Sequence, residues 1–151
     1  MPHFTLQMSA DGPVLNAYVG VSLARFTALT DDGQEPPQPI LIRALIDTGA
    51  SCTCIEPSVL ETLQLTPKGQ VPTYTPSTGA SPHQCDQYDI SLFIPGATTA
   101  ITPFNRPNLL VIAATKDSLH PQGIQGLIGR DVLEHCLLQY NGTMGTFTLA
   151  Y

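Results

Sequence analysis

An all-β fold with one or two short helices is what this sequence predicts, and three observations carry the prediction. Fourteen prolines and twelve glycines are spread along the 151 residues and cut the chain into short segments. The segments between them either alternate apolar and polar residues or are nearly continuous apolar runs of strand length. Hydrophobic residues make up 42% of the chain and charged residues only 12%, the balance of a chain that fills a core. The length suits one domain over residues 1–151, which would bury roughly 70% of the surface of its unfolded chain.

Taken in order, Phe4-Thr5-Leu6-Gln7-Met8 alternates as a half-buried strand does. Asp11-Gly12 supplies a turn and Val14 to Phe26 resumes a β-favouring run, which together predict a hairpin. Asp31 to Pro39 is a loop by composition. Ile40 to Ile46 is an apolar strand broken only by Arg43, and it runs directly into Asp47-Thr48-Gly49-Ala50-Ser51. Glu56-Pro57-Ser58 opens a short helix to about Leu63, since proline is tolerated in a first turn. Two β-prone runs between Val71 and Ile94 flank Pro76-Ser77-Thr78-Gly79-Ala80 and predict a long hairpin with a small-residue tip. Leu109 to Ala114 is a further buried strand. Gly126-Leu127-Ile128-Gly129 leads into a helix over Arg130 to Leu138, with Asp131 placed where a helix dipole favours an anion. Leu138 to Tyr140, the turn at Asn141-Gly142, and Phe147 to Tyr151 form a terminal hairpin.

Composition also excludes functions. Net charge is −6, and the six Lys and Arg residues form no stripe, whereas phosphate contacts need clustered cations; nucleic acid is not an expected partner. Met1 to Ala10 has no basic start leading into an apolar run, and no apolar stretch reaches the length of a membrane span. The expectation is a soluble, cytoplasmic protein without membrane partners. Cys52, Cys54, Cys85 and Cys136 are then read as reduced thiols acting as small apolar residues. Cys52-Thr53-Cys54 with His83-Gln84-Cys85 makes a poor zinc site, because a single residue between paired cysteines is tighter than the usual gap. No metal and no cofactor are expected. His3, His83, His120 and His135 fall in unrelated contexts, and neither Cys54 with a histidine nor any serine carries a nucleophile motif.

The chemistry concentrates at Ala44 to Ser51. A charged Asp at the end of a buried strand is costly unless it is paired, hydrogen-bonded or protonated. Gly49 allows a sharp turn and leaves its peptide open to another chain, and Thr48 and Ser51 offer hydroxyls that can lock the loop. Much later, Gly126-Leu127-Ile128-Gly129-Arg130-Asp131 again sets two apolar residues before a glycine and then a helix. An apolar pair, Asp-Thr-Gly-Ala, and later an apolar pair, Gly-Arg-Asp and a short helix resemble the retropepsin family of aspartic proteases. The order of elements resembles that family over most of the chain.

That resemblance implies a closed β-barrel, half of an acid protease, working as a symmetric homodimer. It implies one catalytic Asp47 per subunit, because only one Asp-Thr-Gly is present. Thr48, Gly49, Ala50 and Ser51 become the active-site loop, and Leu127, Ile128, Gly129, Arg130 and Asp131 its support. The hairpin at about 71–90 becomes a flap whose Tyr74, Ser77, Thr78, Gly79 and Ala80 face an extended peptide substrate. Two carboxylates about 3 Å apart share one proton, so that one activates water while the other protonates. Ala50 lacks the hydroxyl that relatives use to favour the ionised carboxylate, which implies a mildly acidic optimum. Ser51 stands where relatives carry a second acid, leaving Arg130 to pair elsewhere, with Asp131 or Glu134. The stretch from Pro95 to Gln125 is extra length, and Pro2 to Met8 with Thr146 to Tyr151 are the expected interfacial sheet. The rival reading is a catalytically silent dimeric peptide-binding module on the same fold. Glycoside hydrolysis by Asp47 with Asp131 or Glu134 is weaker, since it needs paired carboxylates across a sugar cleft.

Overall fold

A computed structural model describes residues 1–75, 80–115, 119 and 123–151. Among the described residues, ten strands and three short helices run in the order β1 (His3–Gln7), β2 (Val14–Val21), α1 (Leu23–Asp31), β3 (Ile40–Ile46), β4 (Cys54–Ile55), α2 (Pro57–Thr62), β5 (Gly69–Thr73), β6 (His83–Ile94), β7 (Phe104–Ala113), β8 (Gly126–Ile128), α3 (Arg130–Leu133), β9 (Leu137–Asn141) and β10 (Thr146–Ala150). The mostly-β prediction holds.

Six strands form a ring in the order β2-β3-β8-β4-β7-β6, and β6 pairs back onto β2 with Tyr18 opposite Phe93 and Val21 opposite Ile90. That last pairing closes the barrel and leaves β5 as an extra strand hanging from β6. Inside, the period-2 pattern of each strand supplies the core: Leu15, Ala17 and Val19 from β2, Ile42, Ala44 and Ile46 from β3, and Ile90, Leu92 and Ile94 from β6, all buried. Each large aliphatic side chain buried this way contributes about 1.5–3 kcal/mol. The β3–β8 and β4–β7 pairs are parallel, and the remaining pairs in the ring are antiparallel.

A second sheet, β1-β10-β9, packs its Phe4, Phe147 and Leu149 into the same core. The Tyr151 ring, just past β10, meets Phe104 at 5.4 Å and Phe4 at 6.2 Å in edge-to-face geometry, which fixes this sheet on the start of β7. Phe104 lies opposite Ile94, at the end of β6 remote from β5, so the second sheet and the β5–β6 hairpin sit at opposite ends of that strand. No helix among the described residues is long and apolar enough to cross a membrane.

Four local expectations are corrected. The Asp11-Gly12 turn forms, with Ser9 and Gly12 exchanging backbone hydrogen bonds at 2.9 and 3.1 Å, but it joins no hairpin: β1 goes to β10 and β2 to β3 and β6. The run to Phe26 stops as a strand at Val21, and Ser22 caps α1 by accepting a hydrogen bond from the Arg25 amide. The strand predicted from Leu109 starts five residues earlier, at Phe104, and so takes up part of the extra length. The helix predicted to Leu138 ends at Leu133, because Leu137 onward pairs with β10. The terminal hairpin itself is as predicted, with Asn141 opposite Thr146.

Candidate active site

Strand β3 delivers Asp47 to the rim of the barrel beside β8, with Ile46 opposite Ile128, and the Asp47 amide donates to the Ile128 carbonyl at 3.0 Å. Beyond it the chain folds tightly. The Gly49 amide donates to Asp47 Oδ1 at 2.9 Å and the Ala50 amide to the Asp47 carbonyl at 3.2 Å. Asp47 is half-buried, and Thr48 and Gly49 are exposed. The loop thus presents one carboxylate, oriented by its own backbone, at an open edge.

What holds the loop comes from the far end of the sequence. Gly129 crosses directly against Cys52 and Thr53; a Cβ there would lie 2.4 Å from the Cys52 carbonyl carbon. The Gly129 amide donates to Thr53 Oγ1 at 3.1 Å, and that hydroxyl donates onward to Asp131 Oδ1 at 2.8 Å. Asp131 also accepts from the amides of Thr53 (2.8 Å) and Val132 (2.9 Å), so the fully buried Thr53 is gripped by backbone and side chain together. The Arg130 amide donates to the Ala50 carbonyl at 3.0 Å, and its guanidinium Nη1 donates to the Thr48 and Gly49 carbonyls at 3.0 and 3.3 Å.

Several predicted residues are therefore brought together: Asp47 to Ala50 in the loop after β3, and Ile128 to Asp131 from the end of β8 into α3. Leu127 faces the smaller cluster of Ala114, Leu119 and Ile124. The pairing expected for Arg130 is corrected. Asp131 is occupied by Thr53 and Val132, and Glu134 lies 3.4 Å from His135 Nε2, so Arg130 clamps main-chain carbonyls instead. Ser51 is exposed and stands outside this clamp. Thr53 is the residue that sequence reasoning missed. The sequence alone points to Thr48 and Ser51 for the locking hydroxyl, and the one local clue to Thr53 is a polar residue alternating with two cysteines.

The hairpin predicted over 71–90 is built from β5 and β6, with Gly69 opposite Gln87 and Thr73 opposite His83. Tyr74, 68% exposed, and Ala80 stand at its outer end. Ser77, Thr78 and Gly79 lie outside the described residues.

All four cysteines are free thiols, and no three His, Cys, Asp or Glu side chains among the described residues are grouped to hold a metal. Burial pushes the Cys54 thiol up to about 12, with smaller upward contributions from Cys52, Cys85 and Glu56. Burial also raises Cys52, helped by the Asp131 carboxylate and partly offset by a hydrogen bond with Ser51. A thiol whose folded pKa lies above its unfolded value of 9.0 adds stability that is complete below pH 9 and disappears as pH rises toward 12. Urea midpoints are expected to fall between pH 9 and 11, and Cys54→Ala is expected to flatten that fall; an equal slope in both proteins would show that Cys54 is not its source.

A closed six-stranded barrel that sets an Asp-Thr-Gly loop against a crossing Gly-Arg-Asp segment has the build of a retropepsin-like aspartic protease. The chain belongs to the aspartyl protease family, whose profile matches residues 32–132, two thirds of its length. Its fold is similar to the crystal structure of a retropepsin-like aspartic protease from Rickettsia conorii, with a TM-score of 0.61 at 16% identity, covering 99% of this chain and 90% of that one. No curated protein matches the chain by sequence.

Proposed function

We propose that the chain is an aspartic endopeptidase that works as a homodimer, with Asp47 of each copy forming the catalytic dyad. The observation that carries this reading is the Asp47 carboxylate itself, half-buried, held by the Gly49 amide and shown at an open rim of a family-typical barrel. A lone carboxylate of this kind is half of a machine. Beside its twin, about 3 Å away, one carboxyl keeps a proton because both cannot ionise cheaply. The ionised member takes a proton from water as that water attacks the peptide carbonyl. The protonated member donates toward the carbonyl oxygen, and the leaving nitrogen is protonated as the tetrahedral species collapses. The two apparent pKa values belong to the dyad as a unit.

The substrate is an extended peptide lying between the β5–β6 hairpin, acting as the flap, and the Gly49 region, held by main-chain hydrogen bonds while pockets sort its side chains. Closure of the hairpin excludes water and keeps the peptide in register. Ala50 offers the dyad no hydroxyl, which raises the pH at which the pair works relative to a serine-bearing site.

Cleavage of a peptide library, measured against pH and protein concentration, tests the proposal. The expected rate peaks at mildly acidic pH and rises with the square of concentration while monomer dominates. A peak below about pH 3 would remove the role given to Ala50. First-order dependence on protein down to the monomer range would remove the two-copy site, and absence of any cleavage would favour the silent peptide-binding module.

A further inference from the structure

The outer face of the barrel carries an exposed apolar row. Along β2, Leu15, Ala17 and Val19 fill the core, which turns Tyr18 and Gly20 outward. Tyr18 lies opposite Leu41 on β3 and opposite Phe93 on β6, and Phe93 lies opposite Asn105 on β7. The Tyr18 and Phe93 rings meet edge to face at 6.0 Å, with Tyr18 36% and Leu41 51% exposed. Two residues along β2, Gly20 faces Ser91 beneath Pro39; a Cβ on Gly20 would stand 2.8 Å from Ser91 Oγ and 3.4 Å from Pro39 Cγ. This floor of small residues joins two hollows of about 400 and 340 Å³ into one trough. Tyr18 and Phe93 line one end of it. Phe26 of α1, 49% exposed, lines the other with Pro36, Pro37 and the exposed Glu35.

The chemistry of the trough restricts what can lie in it. At Tyr18 and Phe93 the strands are paired on both sides, so a ligand finds no open main-chain edge to join as another strand. Pro36, Pro37 and Pro39 have no amide hydrogen, and that wall offers no main-chain donors. A ligand that buried its own amides here would lose their water without a matching partner. Proline rings avoid that cost, since they bring apolar surface without an N–H. A polyproline II helix is also extended and free of internal hydrogen bonds, and it is ordered before it binds.

Charge distinguishes the two ends. Asp31 and Asp32, where α1 ends, and Glu35 set three carboxylates at the Phe26 end, and among the described residues no ion pair engages them. Arg25 is the cation nearest to this end, sharing a neighbouring hollow with Glu35. Arg43 lies past the opposite end, paired with Asn16 in the row beyond Tyr18. The Phe26 end is therefore the one that favours a cation.

We propose that the trough docks a proline-rich segment of another protein, bound as a polyproline II helix with a Lys or Arg beside Glu35. Proline rings pack on the Tyr18–Phe93 pair and on Phe26, and the cation answers the carboxylates. The site stands apart from the Asp47 chemistry: β3 begins beside Leu41 and delivers Asp47 past its far end, roughly 20 Å away. The rival occupant is the Glu35-Pro36-Pro37-Gln38-Pro39 segment of a second copy. It would bring two sets of carboxylates together in a chain of net charge −6.

Fluorescence polarisation of a labelled Arg-Ala-Pro-Pro-Ala-Pro-Pro-Ala peptide tests the site, using the full chain with Asp47→Asn so that the probe stays intact. Saturable binding is expected, weakened about 10-fold by Tyr18→Ala, by Phe26→Ser, or by alanine in place of the probe's prolines. Phe26 stands outside the barrel, so Phe26→Ser serves if Tyr18→Ala loses its circular dichroism spectrum. Glu35→Lys is expected to weaken the arginine probe and flatten its salt dependence, while a glutamine-for-arginine probe hardly responds. No saturable binding, equal binding of the alanine probe, or binding unchanged in both folded trough variants would overturn the site. Binding of the arginine probe unchanged in Glu35→Lys would overturn the cation's place. Self-association that falls with Phe26→Ser while the probe stays unbound would give the trough to a second copy instead. None of these readings depends on peptide cleavage, so they stand or fall separately from the protease reading.

Discussion

Asp47→Asn is expected to lower kcat/KM for a cleavable peptide by about 10,000-fold while leaving the fold and the dimer intact. The substitution is nearly isosteric, and the asparagine Oδ1 still accepts the hydrogen bond that Gly49 donates to Asp47 Oδ1 at 2.9 Å, so the loop keeps its shape. What disappears is the ability to take a proton from water and to hand one on. Mixed dimers sharpen the result: one wild-type and one Asp47→Asn subunit retain a single titrating carboxyl, and with it no partner to divide the two roles. Rates measured with matched circular dichroism spectra decide the matter. Wild-type activity in the variant would assign hydrolysis to some other group.

Gly129→Ala is expected to cost about 3 kcal/mol of unfolding free energy, at the upper end for overpacking, and to lower activity with it. The glycine adopts an extended backbone, φ −87° and ψ −177°, that any residue reaches, so the objection to a side chain is purely one of space. Its Cβ would stand 2.4 Å from the Cys52 carbonyl carbon, 2.6 Å from that carbonyl oxygen and 2.9 Å from the Thr53 nitrogen. These are backbone atoms of the strap that Thr53 and Asp131 bind, and they cannot swing aside as a side-chain tip can. Relief means parting the two crossing segments and losing the Gly129–Thr53 and Thr53–Asp131 hydrogen bonds, 3.1 and 2.8 Å long. Urea denaturation measures the cost. A loss below about 0.5 kcal/mol would mean that the crossing is looser than these distances imply.

How far the sequence revealed this depends on how local each feature is. Asp47-Thr48-Gly49 and Gly126 to Asp131 were legible because each is a contiguous motif, the first ending an apolar strand and the second setting two apolar residues before a glycine and a helix. Of the barrel strands, β2, β3, β6 and β7 were legible from period and length, whereas β4 and β8, two and three residues long, are too short to show a period. Thr53 and the true partners of Arg130 were not, because those contacts join residues 76 to 82 positions apart and leave no mark on local spacing. The α1 helix was hidden inside a run that reads as strand past Val21; its one local sign was Ser22 three residues before the Arg25 amide that it caps. Beyond Leu133 the apolar spacing at Cys136 and Leu137 suited a helix, yet pairing of Leu137 with Ala150 settled the segment as strand. The tip residues Ser77, Thr78 and Gly79 lie outside the described residues.

The fastening of the Asp47 loop by Ile128 to Asp131 has a consequence for biosynthesis. Some 81 positions separate residue 47 from residue 128, and at 5–20 residues per second a ribosome takes roughly 4–16 s to cover them. Throughout that interval β3 lacks its β8 neighbour, Thr53 has no Asp131, and the loop carbonyls have no Arg130. The acid is thus translated early but set in place late, and a polypeptide still being made carries an unarmed carboxyl.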